Sequence, residues 1–299
     1  MTRRRLIVNA DDFGMCVGVN TGVIRAHQSG VVTSTTLMAN GAAFDDAVAR
    51  ARDCPTLGVG VHLVLLGGPP VAPPAAVRSL LGPDETMPND FGVFLRRLVR
   101  RELKPTEIEV EFRAQVEKVL AAGLQPTHFD SHKHTHAHPL VLDVMLRVAE
   151  AYGVRYIRRP YERLTFVSTT GLRLGEVVTF IKQKVSALAL VRYETVFHAR
   201  LRTTGLRAPD AFFGFAHTGL LNPALLCYVL RLLPVGVSEL MCHPSDWDDT
   251  LRRYPTRLKE ARVRELAALT DARVRAEIKR RNIQLVNFSD LQITTNDYV

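Results

Sequence analysis

The stretch LIVNADDFG, residues 6–14, decides the fold. Leu6 to Asn9 is a short, mostly apolar run with the β-branched residues Ile7 and Val8, suited to a buried strand, and after Ala10 it ends in two adjacent acids, Asp11 and Asp12. The same pattern of a strand ending in chemistry recurs along the chain. LGVGVHLVLL (57–66) carries His62 on the face that it shares with Gly58 and Gly60, whose small size predicts open space in front of the imidazole. PTHFDSHKHTHAHP (126–139) opens with a short strand at 127–129 and holds five of the ten histidines, His128, His132, His134, His136 and His138, beside Asp130. A strand at 154–157 ends in Arg158 and Arg159, and VGVSELMC (235–242) ends in His243 and Pro244.

Helical patterns separate these runs, at 20–30, 42–52, 106–122, 140–152, 172–191, 223–233 and 258–281, with further strands at 31–38 and 283–287. The helix at 106–122 is opened by Pro105 and a Thr106-x-x-Glu109 capping box and closed by Gly123. Residues 192–218 carry no clear pattern. Strands alternating with helices six or seven times predict an α/β protein with a mostly parallel sheet and helices outside. Either an open doubly wound sheet or a closed barrel fits. A barrel is preferred, because polar residues stand at the carboxyl ends of at least four separated strands, which a barrel gathers into one mouth. The expectation is a single TIM-like (β/α) domain over residues 1–299.

Residues 67–89 interrupt this rhythm with prolines and glycines, and loops of that length are usually lids or binding loops. The following stretch, 91–104, sets Phe91, Phe94, Leu95, Leu98 and Val99 on one side of a helix. Arg96, Arg97, Arg100, Arg101 and Lys104 lie largely on the other. Such a helix either lies on a membrane surface or is peripheral with a solvated charged face. A lid or insertion at about 67–104 is expected.

Composition narrows the class. Over 299 residues, 46% hydrophobic and 23% charged content is that of an ordinary globular protein. The net charge of +9 calls for acidic partners. The basic residues are dispersed and aromatics are only 7%, which argues against nucleic acid. Cys16, Cys54, Cys227 and Cys242 form no CxxC pair, so reduced thiols in a cytoplasmic protein are expected. The apolar run at the N-terminus is too short for a signal peptide, and no run reaches bilayer length. The oligomeric state is left open, a homodimer included.

Asp11, Asp12, His62, His132 and His243 come from four strand ends. A carboxylate with two imidazoles fills part of a tetrahedral or octahedral shell around a divalent metal and leaves positions for water and substrate. A cation lowers the pKa of a water in its shell, a second carboxylate can take that proton, and a histidine can protonate a leaving amine. The set suits hydrolysis of an amide or ester. The plainer readings are that Asp11 and Asp12 cap the next helix, and that His62 and His243 are hydrogen-bonded core residues.

VNADDFG, VTSTTLMANG, GVGVHLVL, PTHFDSHKHTHAHP and ELMCHP, in this order, resemble the successive motifs of the YdjC-type carbohydrate deacetylases. HLVLLGGPPVAPP and KHTHAHP look most like the hopanoid-biosynthesis branch, whose substrate is an N-acetylglucosaminyl hopanoid, although Asp130-Ser131 is the broader family's form. The resemblance implies a distorted β/α barrel and a magnesium or zinc ion held by Asp12, His62 and His132. It also implies Asp11 as general base, with His243 as the chosen acid. His134 and His136 fall behind the ligands or against the sugar. Lys133 stands where many relatives have another histidine. Arg158 holds polar groups of the substrate or pairs with carboxylates. The expected partner is an acetylated amino sugar, either a chito-oligosaccharide or one carried by a lipid at a membrane surface. The competing class is a non-catalytic carbohydrate- or metal-binding barrel. Phosphate-ester hydrolysis would call for a glycine-rich loop before a helix, and none is seen.

Overall fold

Strand β1, Arg4–Phe13, is the centre of the sheet, and its residues from Leu6 onward are all buried. In the computed structural model, which describes residues 3–162, 169 and 171–293, β1 pairs in parallel with β2 (Ser34–Leu37) and with β6 (Gly236–Cys242). The order continues through β3 (Gly58–Leu63) and β4 (Phe129–Ser131) on one side and β5 (Ala211–Phe213) on the other. The short β7, Gln284–Leu285, joins β1 near its start. Every pairing is parallel, and β2, β3, β4 and β5 are buried along their whole length, as parallel strands covered by helices must be.

The two edges of this path meet through single bridges. Phe129 pairs with Ile157 and Tyr156 with Arg207, four residues before β5. The strand expected at 154–157 is reduced to this pair of contacts, which curls the sheet into a distorted barrel. The crossover helices lie outside it. They are α1 (Val17–Gln28), α2 (Phe44–Arg52), α3 (Phe91–Val99), α4 (Pro105–Ala121) and α5 (Pro139–Ala151), then α6 (Leu174–Val191), α7 (Glu194–Arg202) and α8 (Pro223–Leu232). The short α9 (Asp249–Arg253) precedes α10 (Glu260–Leu269), α11 (Ala272–Arg280) and α12 (Phe288–Ile293). Both α5 and α8 start with proline in the first turn, with His138 and Asn222 accepting from backbone N–H groups that would otherwise lack partners.

Several local expectations are corrected. Thr106 lies inside α4, whose N-cap is Lys104, and Glu109 bonds Arg113 and Arg147 instead of closing a capping box. The tract 258–281 is two helices, broken where Asp271 caps α11 through the Arg273 N–H. Residues 192–218, unreadable in sequence, contain α7 and β5. The excursion at 67–89 is tied down by buried Glu111 of α4, whose carboxylate accepts from the N–H groups of Val71 and Ala72 at 2.9 and 3.0 Å.

The room that Gly60 leaves is already filled. His62 does face inward, but a Cβ at Gly60 would lie 2.5 Å from both the His128 ring and its carbonyl oxygen. That ring in turn stacks on Phe288, with centroids 3.7 Å apart. Gly60→Ala should therefore destabilise the fold by about 1–3 kcal/mol, as overpacking of a close-packed interior does. Urea unfolding of the variant would show a lowered midpoint at unchanged slope, and an unchanged midpoint would mean that the His128 layer yields freely.

Candidate active site

Adjacent residues of a regular strand point to opposite faces, yet Asp11 and Asp12 both reach the same pocket. The β1–β2 register shifts between Ala10 and Phe13, and Asp12 adopts a left-handed backbone, φ 68°. This bulge turns both carboxylates toward His62. Neither acid caps α1, whose N-cap is Cys16 with no side-chain bond. After β4 the chain takes two further left-handed residues, Lys133 and His134, φ 52° and 54°. Non-glycine residues in this region store strain, here on either side of one pocket.

The structure brings Asp12, His62 and His132 together. Asp12 Oδ1 lies 3.1 Å from His132 Nδ1 and 3.4 Å from His62 Nε2, and the two nitrogens are 3.3 Å apart. Asp12 and His62 are buried, while the His132 side chain keeps 18% exposure and so marks the open side. Three donors at such separations match neighbouring corners of a coordination shell with ligand distances of about 2.1 Å. The far nitrogen of His62, Nδ1, lies 2.7 Å from Asp130 Oδ1, and Thr36 Oγ1 donates to Asp130 Oδ2 at 3.1 Å. A carboxylate behind an imidazole is the usual orienting partner of a metal-binding histidine. These residues fit a metal ion. A second trio, Asp11, His62 and Asp130, is also close-set, but both its acids already hold the guanidinium of Arg158, so it is the poorer cation site.

Arg158 is fully buried and bonds three carboxylates. Its terminal nitrogens each meet an oxygen of Asp11 at 2.6 Å, one of them lies 2.7 Å from Asp130, and Nε donates to Glu239 at 2.7 Å. Of the two readings of Arg158, pairing with carboxylates is the one seen, and it lies behind Asp11. Arg159 likewise pairs with Glu194. Burial opposes the charge of Asp11, but Arg158 prevails and keeps the carboxyl below its ordinary range. Asp12 is held well below that range, against burial, by Arg262, whose NH2 donates to Oδ2 at 2.5 Å, and by the two imidazoles. Burial also disfavours a charged His62, yet Asp130, Asp12 and Asp11 push it up to about 10, and burial pushes Glu239 up to about 7. Four acids, Asp11, Asp12, Asp130 and Glu239, thus face two guanidiniums and the His62 imidazole, and a divalent cation would take the place of the His62 proton.

His243 lies at the end of β6, mostly buried, and its backbone N–H donates to Glu265 at 2.6 Å. Burial pulls its imidazole down to about 4. His134 stacks on Phe215, with centroids 5.0 Å apart, and meets Phe212 edge-on, so it forms an aromatic wall. His136 is fully buried with both ring nitrogens engaged, one by Ser131 Oγ at 2.5 Å and the other by the Arg158 carbonyl at 3.1 Å. Of the two places expected for it, behind the ligands or against the sugar, these bonds match the first. The Lys133 ammonium donates to the Asn89 carbonyl of the long excursion at 2.7 Å, which joins that segment to the mouth. Glu239, Arg262 and Glu265 escaped the sequence reading. Glu239 is a lone acid within an apolar strand, which is a usable signal, whereas the other two sit in a helix rich in charge and give none.

The model of the YdjC-like protein family matches residues 5–280. A carbohydrate deacetylase of Brevibacillus brevis is 36% identical over 287 residues, covering 96% of this chain and 99% of that protein. A chitooligosaccharide deacetylase of Salmonella paratyphi B is 31% identical, with 96% and 99% covered. Among solved structures, an Enterococcus faecalis V583 protein provisionally assigned to cellobiose-phosphate cleavage superposes with a TM-score of 0.77 at 27% identity, covering 97% of this chain and 99% of that one. With its motifs, its curled parallel sheet and its full-length relatives in agreement, this chain belongs to the YdjC-like protein family.

Proposed function

We propose that the protein is a metal-dependent carbohydrate deacetylase, which hydrolyses the acetamide of an N-acetylglucosamine unit to an amine and acetate. The observation that carries this reading is the set of three donor atoms 3.1–3.4 Å apart, with the separate carboxylate of Asp11 beside the same imidazole. A non-catalytic binder would need the three donors but not the second acid. The support from relatives is that two full-length ones are named carbohydrate and chitooligosaccharide deacetylases.

In this reading Asp12, His62 and His132 hold the ion. A bound divalent cation supplies a Lewis acid for the carbonyl and makes a water in its shell easier to deprotonate. Two imidazoles and one carboxylate suit zinc by donor type, with magnesium as the alternative. Asp11, kept ionised and immobile by Arg158, accepts the proton of the attacking water at a carboxylate oxygen. His243, which burial keeps neutral at rest, takes up a proton first and then delivers it to the nitrogen as the C–N bond breaks, while the water's proton goes to Asp11. Asp130 and Thr36 hold the His62 ring, and His134 with Phe215 presents an apolar wall.

The substrate proposed is the N-acetylglucosaminyl hopanoid, with a chito-oligosaccharide as the second reading. The lipid reading is supported by the branch-like segments HLVLLGGPPVAPP and KHTHAHP, and by exposed Phe91, Leu95 and Val99 on α3 near the mouth. The apolar side of that helix is divided, because Phe94 and Leu98 turn into the core.

Asp11→Asn should retain bound metal by elemental analysis while turnover falls at least about a hundredfold, the usual worth of a general base; unchanged turnover would remove Asp11 from the mechanism. His132→Ala should lose metal and activity together, and full metal occupancy would count against ligation. Asp130→Asn should weaken metal binding about 10–100-fold in equilibrium dialysis, as loss of an orienting carboxylate does. Acetate release from N-acetylglucosaminyl lipid and from diacetylchitobiose, with and without chelator, tests the whole reading. Release insensitive to chelator would overturn the metal, and release from neither substrate would overturn the activity.

A further inference from the structure

Helix α6 leaves five aliphatic side chains in solvent: Leu174 (87% exposed), Val178 (51%), Ile181 (54%), Val185 (61%) and Leu188 (40%). They recur at steps of four and three, so they form one line along the helix. Its other side is the packed one, where Phe180 and Ala187 are buried, with Phe180 against Ala216 and Leu220. Exposed Arg173, Lys182 and Arg192 edge the stripe and have no ion pair among the described residues. The helix's single acid, Glu176, is taken by Arg264 and by the Arg173 N–H.

Position gives the stripe a meaning. Gln183 of α6 donates to the Thr218 carbonyl, and that loop follows the carboxyl end of β5 and carries Phe215, which stacks on His134. Helix α3 is tied to the same mouth, because Lys133 bonds Asn89 just before it. It too shows an exposed apolar line, Phe91, Leu95 and Val99, beside exposed Arg96, Arg100 and Arg101. Of the twelve large apolar side chains exposed among the described residues, five are on α6 and three on α3. Such a concentration on two helices exceeds ordinary scattered exposure.

We propose that α6, with α3 as a second contact, docks this protein on an anionic lipid surface with the mouth of the barrel toward the bilayer. An apolar line bordered by cations is what a helix lying in the interface presents, its aliphatic groups among the acyl chains and its cations at the head groups. A second copy of the chain is the poorer occupant. Two copies of α6 related by a two-fold axis through Ile181 would bring Lys182 against its own counterpart, in molecules that each carry +9. The docking is argued from this surface alone; it rests on the deacetylase reading only for its use, which is to place a lipid-borne sugar at the mouth.

The test is co-sedimentation of the full chain with phosphatidylglycerol-containing vesicles and with pure phosphatidylcholine vesicles, at low and high salt. Wild type should pellet with the anionic vesicles at low salt. Val178→Ser/Ile181→Ser/Val185→Ser and, separately, Arg173→Glu/Lys182→Glu/Arg192→Glu should each lower the bound fraction at least tenfold. All six positions are exposed or near the surface, so melting temperature and diacetylchitobiose hydrolysis should stay at wild-type levels. Wild type that stays in the supernatant, or variants that bind equally well, would overturn the proposal. So would light scattering that shows a wild-type dimer abolished by the serine variant, because a second copy would then cover the stripe. Absence of acetate release from both diacetylchitobiose and N-acetylglucosaminyl lipid alongside salt-sensitive vesicle binding would break the catalytic reading and leave the docking intact.

Discussion

The Arg158 guanidinium among three carboxylates is the constraint on which the pocket depends. Asp11, Asp130 and Glu239 come from β1, β4 and β6, and all are buried with the arginine that joins them. Three carboxylates gathered out of water would repel one another and shed their charge by taking up protons. With Arg158 in their midst, Asp11 stays ionised, and Asp130 keeps an oxygen for the far nitrogen of His62. A buried ion cluster of this kind contributes little net stability but resists rearrangement, because removing one member strands the others. Its position explains why the residues around it can be placed so closely.

Two departures from regular backbone complete the arrangement. The bulge at Asp12 puts consecutive acids into one pocket, and the left-handed pair at Lys133 and His134 lets the chain turn sharply after His132. The acids thereby acquire different surroundings. Asp11 faces a guanidinium with both oxygens, whereas Asp12 gives one oxygen to Arg262 and keeps the other toward two imidazoles. The same residue type one position apart is thus given two electrostatic tasks.

Much of this was legible in the sequence, for identifiable reasons. Parallel strands buried on both faces read as apolar runs, so β1, β3 and β6 stood out, and the polar residues that close them identified Asp11, Asp12, His62 and His243. What escaped depends on tertiary packing. The 154–157 strand is only two bridges, β5 spans three residues, and no periodicity can be counted over such lengths. The break between α10 and α11 hides in a continuous charged pattern. Gly58 and Gly60 suggested a cavity because sequence shows the room a glycine makes but not its tenant, here the His128 ring. Arg158 could be placed at a strand end, yet its three partners lie 28, 81 and 147 positions away along the chain.

The bond between Asp12 and Arg262 spans 250 positions. The quoted motifs end near residue 245, so a fragment truncated there would retain all three donors, both general acid–base candidates and each of those motifs, although the family model runs on to residue 280. It would nevertheless lose the guanidinium that occupies Asp12 Oδ2 and the carboxylate of Glu265 that anchors the His243 backbone. The C-terminal helices thus serve as part of the reaction chamber's wall, and its minimal boundary lies well beyond the last motif.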